Sequence, residues 1–174
     1  MQRKEMAKMA ITSYLSRIIY KEFSGDDLRD VDFTGSWKLL VRAKTIPAPV
    51  GAPNTVESTT LEDKAQTYEM GIYTSDSKEF TGNLEKAYLD GIDKLKGKRV
   101  CLMQLYGTDG IGGEAKYAYV AQVTATPSDI GGVDEIVEMT VTAIPNTVPA
   151  KCTDDYTVAD GGNGTFTVTE VSGG

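Results

Sequence analysis

Between Arg99 and Ile144 the chain carries three runs in which apolar and polar residues alternate, cut apart by glycine-rich segments. They are 99–106 (RVCLMQLY), 115–126 (AKYAYVAQVTAT) and 133–144 (VDEIVEMTVTAI). Side chains along a strand point alternately to opposite faces, so a sustained period of two commits this stretch to a sheet. In the third run Val133, Glu135, Val137, Met139, Val141 and Ala143 face one way. Asp134, Ile136, Glu138, Thr140, Thr142 and Ile144 face the other. Gly107–Gly113 and Ser128–Gly132 supply the turns.

A different period precedes these strands. Leu84, Ala87, Tyr88, Gly91, Ile92 and Leu95 recur at the spacing of one buried helix face, which predicts a helix over 84–96. Asn83 is suited to N-cap it, Glu85 to its positive start and Gly97 to end it. Residues 1–13 read as an N-terminal arm leading into a first strand at about 14–23, closed by the turn Ser24-Gly25-Asp26-Asp27. A second strand is expected at about 36–46, with Trp37, Leu39, Val41 and Ala43 opposite Lys38, Leu40, Arg42 and Lys44. Pro47, Pro49 and Pro53 then rule out a regular interior element over 47–57. The polar stretch 58–71 continues as a loop or a loosely paired hairpin. A long loop over 46–80 results, and loops of that length inside a compact domain are functional or disordered. After Pro145 the core-forming content thins, and TFTVTEV (165–171) is left as an edge strand or a tail. The expected fold is mostly β, an antiparallel sandwich or open barrel with one flanking helix, in a domain spanning 14–150. Residues 151–174 form a C-terminal extension beyond it.

Composition narrows the function. With no histidine in the chain, Ser-His-Asp and Cys-His nucleophile systems are excluded, as is histidine acid–base work near neutral pH. Most zinc sites lose their usual ligands as well. Carboxylate, lysine or tyrosine chemistry stays formally open, and the chain reads as non-enzymatic, with no cofactor. A net charge of −7 argues against a protein that grips nucleic acid, which needs clustered cations to displace phosphate counterions. The nearest basic cluster, Lys94, Lys96, Lys98 and Arg99, suits the last turn of a helix. No apolar run approaches the roughly 20 residues of a membrane span. The first residues are basic but lack an apolar stretch and a small-residue cleavage site, so a cytosolic protein with Cys101 and Cys152 reduced is expected.

Three constellations suggest chemistry, and each has a plainer reading. Gly107–Gly113 lacks the lysine of a phosphate loop and leads into a strand, so it is a hairpin turn. Asp154, Asp155, Asp160 and Asn163 miss the twelve-residue spacing and closing glutamate of a calcium loop, leaving a solvated loop. Glu57, Glu62, Asp63 and Glu69 have no apolar setting to raise a carboxylate pKa, which makes them solvated or interface acids.

Glu57-Ser58-Thr59-Thr60-Leu61-Glu62-Asp63 and, after a short gap, Tyr68-Glu69-Met70-Gly71 follow a strand and a Pro/Gly break. In that order, the run Thr45–Gly71 resembles the signature segment of the major tail tube proteins of long, non-contractile phage tails, the phage lambda tail tube family. The helix and the strands YAYVAQVTATPSD and EMTVTAIPNTVPA fall in the family's order, so the resemblance covers about 14–150. The N-terminal arm is longer and more basic than the family pattern, and the last twenty-five residues match nothing in it.

The resemblance implies a tail-tube fold: hexameric rings stacked into a tube through which DNA passes without specific binding, in a virion tail assembled in the host bacterial cytoplasm. Tape measure, tail terminator and tail tip proteins would be its other partners, with no membrane. The 46–80 loop would reach the neighbouring ring through Pro47, Pro49, Pro53, Glu57, Thr59, Thr60, Leu61, Glu62, Asp63 and Tyr68, ordering on assembly. An acidic lumen would let phosphate slide, and Asp134, Glu135 and Glu138 are the candidate lumen acids. The alternatives are the inner tube of a contractile tail, a tail-like bacteriocin or a type VI-like secretion system, or a β-sandwich module binding a receptor or carbohydrate.

Overall fold

A computed structural model describes residues 13–73 and 75–172; the expected N-terminal arm lies outside these but for Ser13. The described elements are β1 (Arg17–Glu22), β2 (Gly35–Leu39), β3 (Ala43–Thr45), β4 (Pro53–Glu57), β5 (Tyr68–Tyr73) and β6 (Lys78–Asn83). Helix α1 (Lys86–Asp93) follows, then β7 (Arg99–Tyr106), β8 (Ala115–Pro127), β9 (Glu138–Pro145), β10 (Ala150–Lys151), β11 (Tyr156–Gly162) and β12 (Thr165–Glu170). The main sheet runs β11-β12-β2-β1-β7-β8-β9-β6-β3, with β10 added beside β8. Its pairs are antiparallel and it curls into a half-barrel carrying the single described helix, the β-rich class that the alternation predicts.

The centre of the sheet is buried on both faces. On one face Ile18, Leu102, Tyr119, Ala121 and Val123 pack with Phe80, Met139 and Val141 under Ile92 and Leu95 of the helix side. On the other, Ile19, Cys101, Met103, Leu105 and Val120 pack with Trp37, Val158, Phe166 and Val168. Burying each large apolar side chain in these clusters stabilises the fold by roughly 1.5–3 kcal/mol. Burial raises the Cys101 and Cys152 thiols to about 11, and both are free. The β7–β8 connection is the expected hairpin turn. The Asp109 carboxylate closes it by accepting from the backbone N–H of Ile111 at 3.1 Å and of Gly113 at 3.0 Å.

Elsewhere the structure corrects the sequence reading. The expected strand 36–46 is two strands, because the chain turns a corner at 40–42. β2 pairs with β1 and β12, whereas β3 pairs with β6. The turn carries Leu40 off the expected cationic face into the helix-side core, where it is 1% exposed. Gly82 permits the corner: a Cβ there would lie 2.5 Å from the Arg42 carbonyl oxygen. The long loop is also shorter than 46–80, since Lys78–Asn83 is a core strand paired along β9, with Phe80 fully buried. Asn83 therefore ends β6 and does not cap the helix. The N-cap position is Glu85, without a side-chain cap bond. Of the expected helix face, Ile92 and Leu95 are buried and Leu84 and Tyr88 partly so, but Ala87 is exposed and Leu89 packs instead. The helix ends earlier than expected, through turns that close at Gly97 with φ +79.

The third alternating run is strand only from Glu138. Residues 133–136 are exposed, and Val133 is fully so. The C-terminal residues are no extension: β12 pairs with β2, β11 covers β12, and Cys152, Val158, Phe166 and Val168 complete the second core.

Candidate assembly interface

β4 and β5 pair with each other and, among the described residues, with no other strand, forming a two-stranded sheet outside the half-barrel. Their register sets Thr55 opposite Met70, Val56 opposite Glu69 and Glu57 opposite Tyr68, with an irregularity between Pro53 and Thr55. Proline is tolerated at the first residue of such an edge strand. Gly71 sits where the strands approach closely, since a Cβ there would meet the Asn54 carbonyl oxygen at 2.8 Å. The segment expected to order only on assembly is thus a hydrogen-bonded hairpin.

Its tip is closed by side chains. Ser58 N–H donates to the Thr67 carbonyl at 2.9 Å, and Thr67 N–H donates to Thr59 Oγ1 at 3.0 Å. The Asp63 carboxylate accepts from both the backbone N–H of Thr60 at 2.6 Å and its hydroxyl at 2.9 Å. Those two bonds favour the charged form and hold the Asp63 carboxyl below its ordinary range. The threonines and the aspartate of the signature segment therefore shape the tip.

The root is fixed as well. Gln104, fully buried on β7, donates through Nε2 to the Pro47 carbonyl at 2.8 Å. Its bond to the Tyr106 hydroxyl at 3.0 Å shares the same nitrogen, and Tyr106 stacks edge-on to Tyr117 at 6.3 Å. Burial raises the Tyr106 phenol to about 12, so it remains a neutral hydrogen-bonding group. Pro47 and Pro49 belong to this anchored root, and Pro53 opens the hairpin.

Between an anchored root and a stapled tip lies an uncovered apolar surface. Val56, Leu61, Tyr68, Met70, Ile72 and Tyr73 are each at least half exposed, and Leu61 is wholly so. The register puts Tyr68 and Met70 on one face and Val56 on the other, and exposed apolar side chains on a hairpin with two open edges mark a surface built for contact. Glu57, Glu62 and Asp63 surround it, and all three are exposed.

The candidate lumen acids do not form one row. Asp134 and Glu135 lie on the exposed loop before β9, while Glu138 opens β9 and pairs with Lys44 at 2.5 Å. That loop also exposes Ile130, and with it Val133 and Ile136, which the expected strand 133–144 placed in the sheet. Of the aspartates considered for calcium, Asp154 and Asp155 are exposed and Asp160 is used otherwise. Asp160 accepts from Gly162 N–H at 2.8 Å and pairs with Arg17 at 2.9 Å, and these contacts lower its carboxyl pKa. Asn163 takes a positive φ in the β11–β12 turn. Neither a protein-family model nor a curated protein matches the chain.

Proposed function

We propose that the chain is a structural subunit that assembles with copies of itself into a tube, and that the tube is that of a phage tail. The observation that carries this reading is the β4–β5 hairpin, which holds the segment resembling tail tube proteins and exposes its apolar residues. A half-barrel with a full core needs no such appendage for stability. An exposed apolar hairpin with unpaired strand edges gains its stabilising cover from a neighbouring subunit. Acid-rich composition supports a DNA-conducting lumen, because a negative wall repels phosphate.

Replacing residues 54–72 by a short Gly/Ser linker tests the reading. Pro53 and Tyr73 are paired, so the ends are close enough to join. The expected product is a folded monomer that forms no rings or tubes in negative-stain micrographs under conditions where the full chain does. A full chain that stays monomeric at every concentration overturns the proposal.

A further inference from the structure

The exposure of Ala87 points to a second surface. Ala87 and Gly91 line an open groove of about 770 Å³ between α1, the β1–β2 pair and the β11–β12 turn. Leu39, Tyr20 and Tyr88 contribute apolar surface above the buried Leu40 and Leu95, and Lys38 and Lys94 also line it. The small residues Ala87 and Gly91 leave room for a backbone to come close. The acids at this groove are already engaged: Asp90 accepts from Lys86 at 2.6 Å, and Glu22 lies 3.8 Å from Lys98. Lys38 and Lys94 form no ion pair among the described residues. The groove thus mixes apolar and polar surface and is cationic in its unpaired charge.

The hairpin has the opposite character. Its apolar tip residue Leu61 is flanked by Glu62 and Asp63, and Glu57 stands opposite Tyr68 on one face while Glu69 stands opposite Val56 on the other. Against these acids the hairpin carries one cation, Lys64. Glu57, Glu62 and Glu69 form no ion pair among the described residues.

We infer that the groove beside α1 receives the β4–β5 hairpin of a second copy of this chain. Leu61 enters the groove together with Tyr68 and Met70, and Glu62 and Glu57, which shares the face of Tyr68, meet Lys38 and Lys94. The inference rests on the tube reading and names the surface at the other end of its contact. Such a contact is heterologous, tip to groove, so each subunit offers one of each and the contact propagates from copy to copy. Complementary charges of this kind set register and encounter rate and weaken with salt.

The test uses the full chain and charge reversal at exposed positions. K38E/K94E and, separately, E57K/E62K are each expected to raise the concentration for half-assembly at least about tenfold in sedimentation velocity, with unchanged circular dichroism. Combining all four changes should restore assembly. A mixture of L61C and A87C chains should form an intermolecular disulfide under mild oxidation, with the buried native thiols spared. Tubes that form at the wild-type concentration in both reversal pairs overturn the groove and leave the tube reading standing. A wild-type chain that never associates overturns both.

Discussion

Two antiparallel hairpins of this molecule, β7–β8 and β4–β5, have similar raw material and opposite fates. Both alternate, both contain methionine and tyrosine, and both turn through a loop fastened by an aspartate, Asp109 in one and Asp63 in the other. β7–β8 lies at the centre of the sheet with both faces covered, whereas β4–β5 is uncovered on both. The difference lies in the neighbours: β1, β9 and β10 flank the first, and none among the described residues flanks the second. An apolar strand without a neighbour in its own chain is the strongest reason to look for one in another chain.

The contrast can be broken or sharpened by substitution. The largest effect is expected at Phe166, whose truncation to alanine should lower unfolding free energy by about 3–5 kcal/mol in urea titration. A loss under about 1 kcal/mol would return the C-terminal hairpin to the status of an appendage and blur the line between buried and uncovered regions. Next comes Gly82→Ala, where the new methyl meets the Arg42 carbonyl; about 1–3 kcal/mol should be lost, with hydrogen exchange rising first in β3 and β6. Asp160→Asn should cost about 0.2–1 kcal/mol at neutral pH, since the Arg17 pair is partly exposed. The folded state depresses the Asp160 pKa, so its contribution is present above the ordinary value of 3.8 and fades as pH falls through the folded value. Wild type and variant should therefore converge in acid. Smallest of all is Ile72→Ser, expected to move monomer stability by no more than about 0.5 kcal/mol while weakening self-association. A large stability loss there would show that the hairpin is covered by its own chain.

What the sequence revealed followed the physics of pattern. β7 and β8 were legible because their alternation is long and ends in glycine. Val133 to Ile136 imitates the same period in an exposed loop, and nothing local separates the two cases. β6 was hidden because KEFTGN is short and polar, and because Asn83 also fits the signature of a helix start. The split at 40–42 leaves no mark, since Leu-Val-Arg contains neither glycine nor proline and the bend is permitted from across the sheet by Gly82. The β11–β12 hairpin did carry a signal: Asn163-Gly164 is the two-residue turn such hairpins prefer, and both residues have positive φ. Of the candidate interface, the hairpin could be found from Glu57–Asp63 and Tyr68–Gly71. The groove could not, because it is assembled from three segments distant in sequence.

The placement of β2 between β1 and β12 has a consequence in time. Trp37 pairs with Phe166, so the strand carrying the only tryptophan waits for a partner synthesised long after it. Pairings between such remote segments form slowly, and until they form an open strand edge is exposed. On the ribosome, β1, β7 and β8 can come together while the β2 edge stands unguarded. A chain halted before Thr165 should therefore precipitate or join the wrong neighbour, and indole fluorescence should report completion of the fold as its last event.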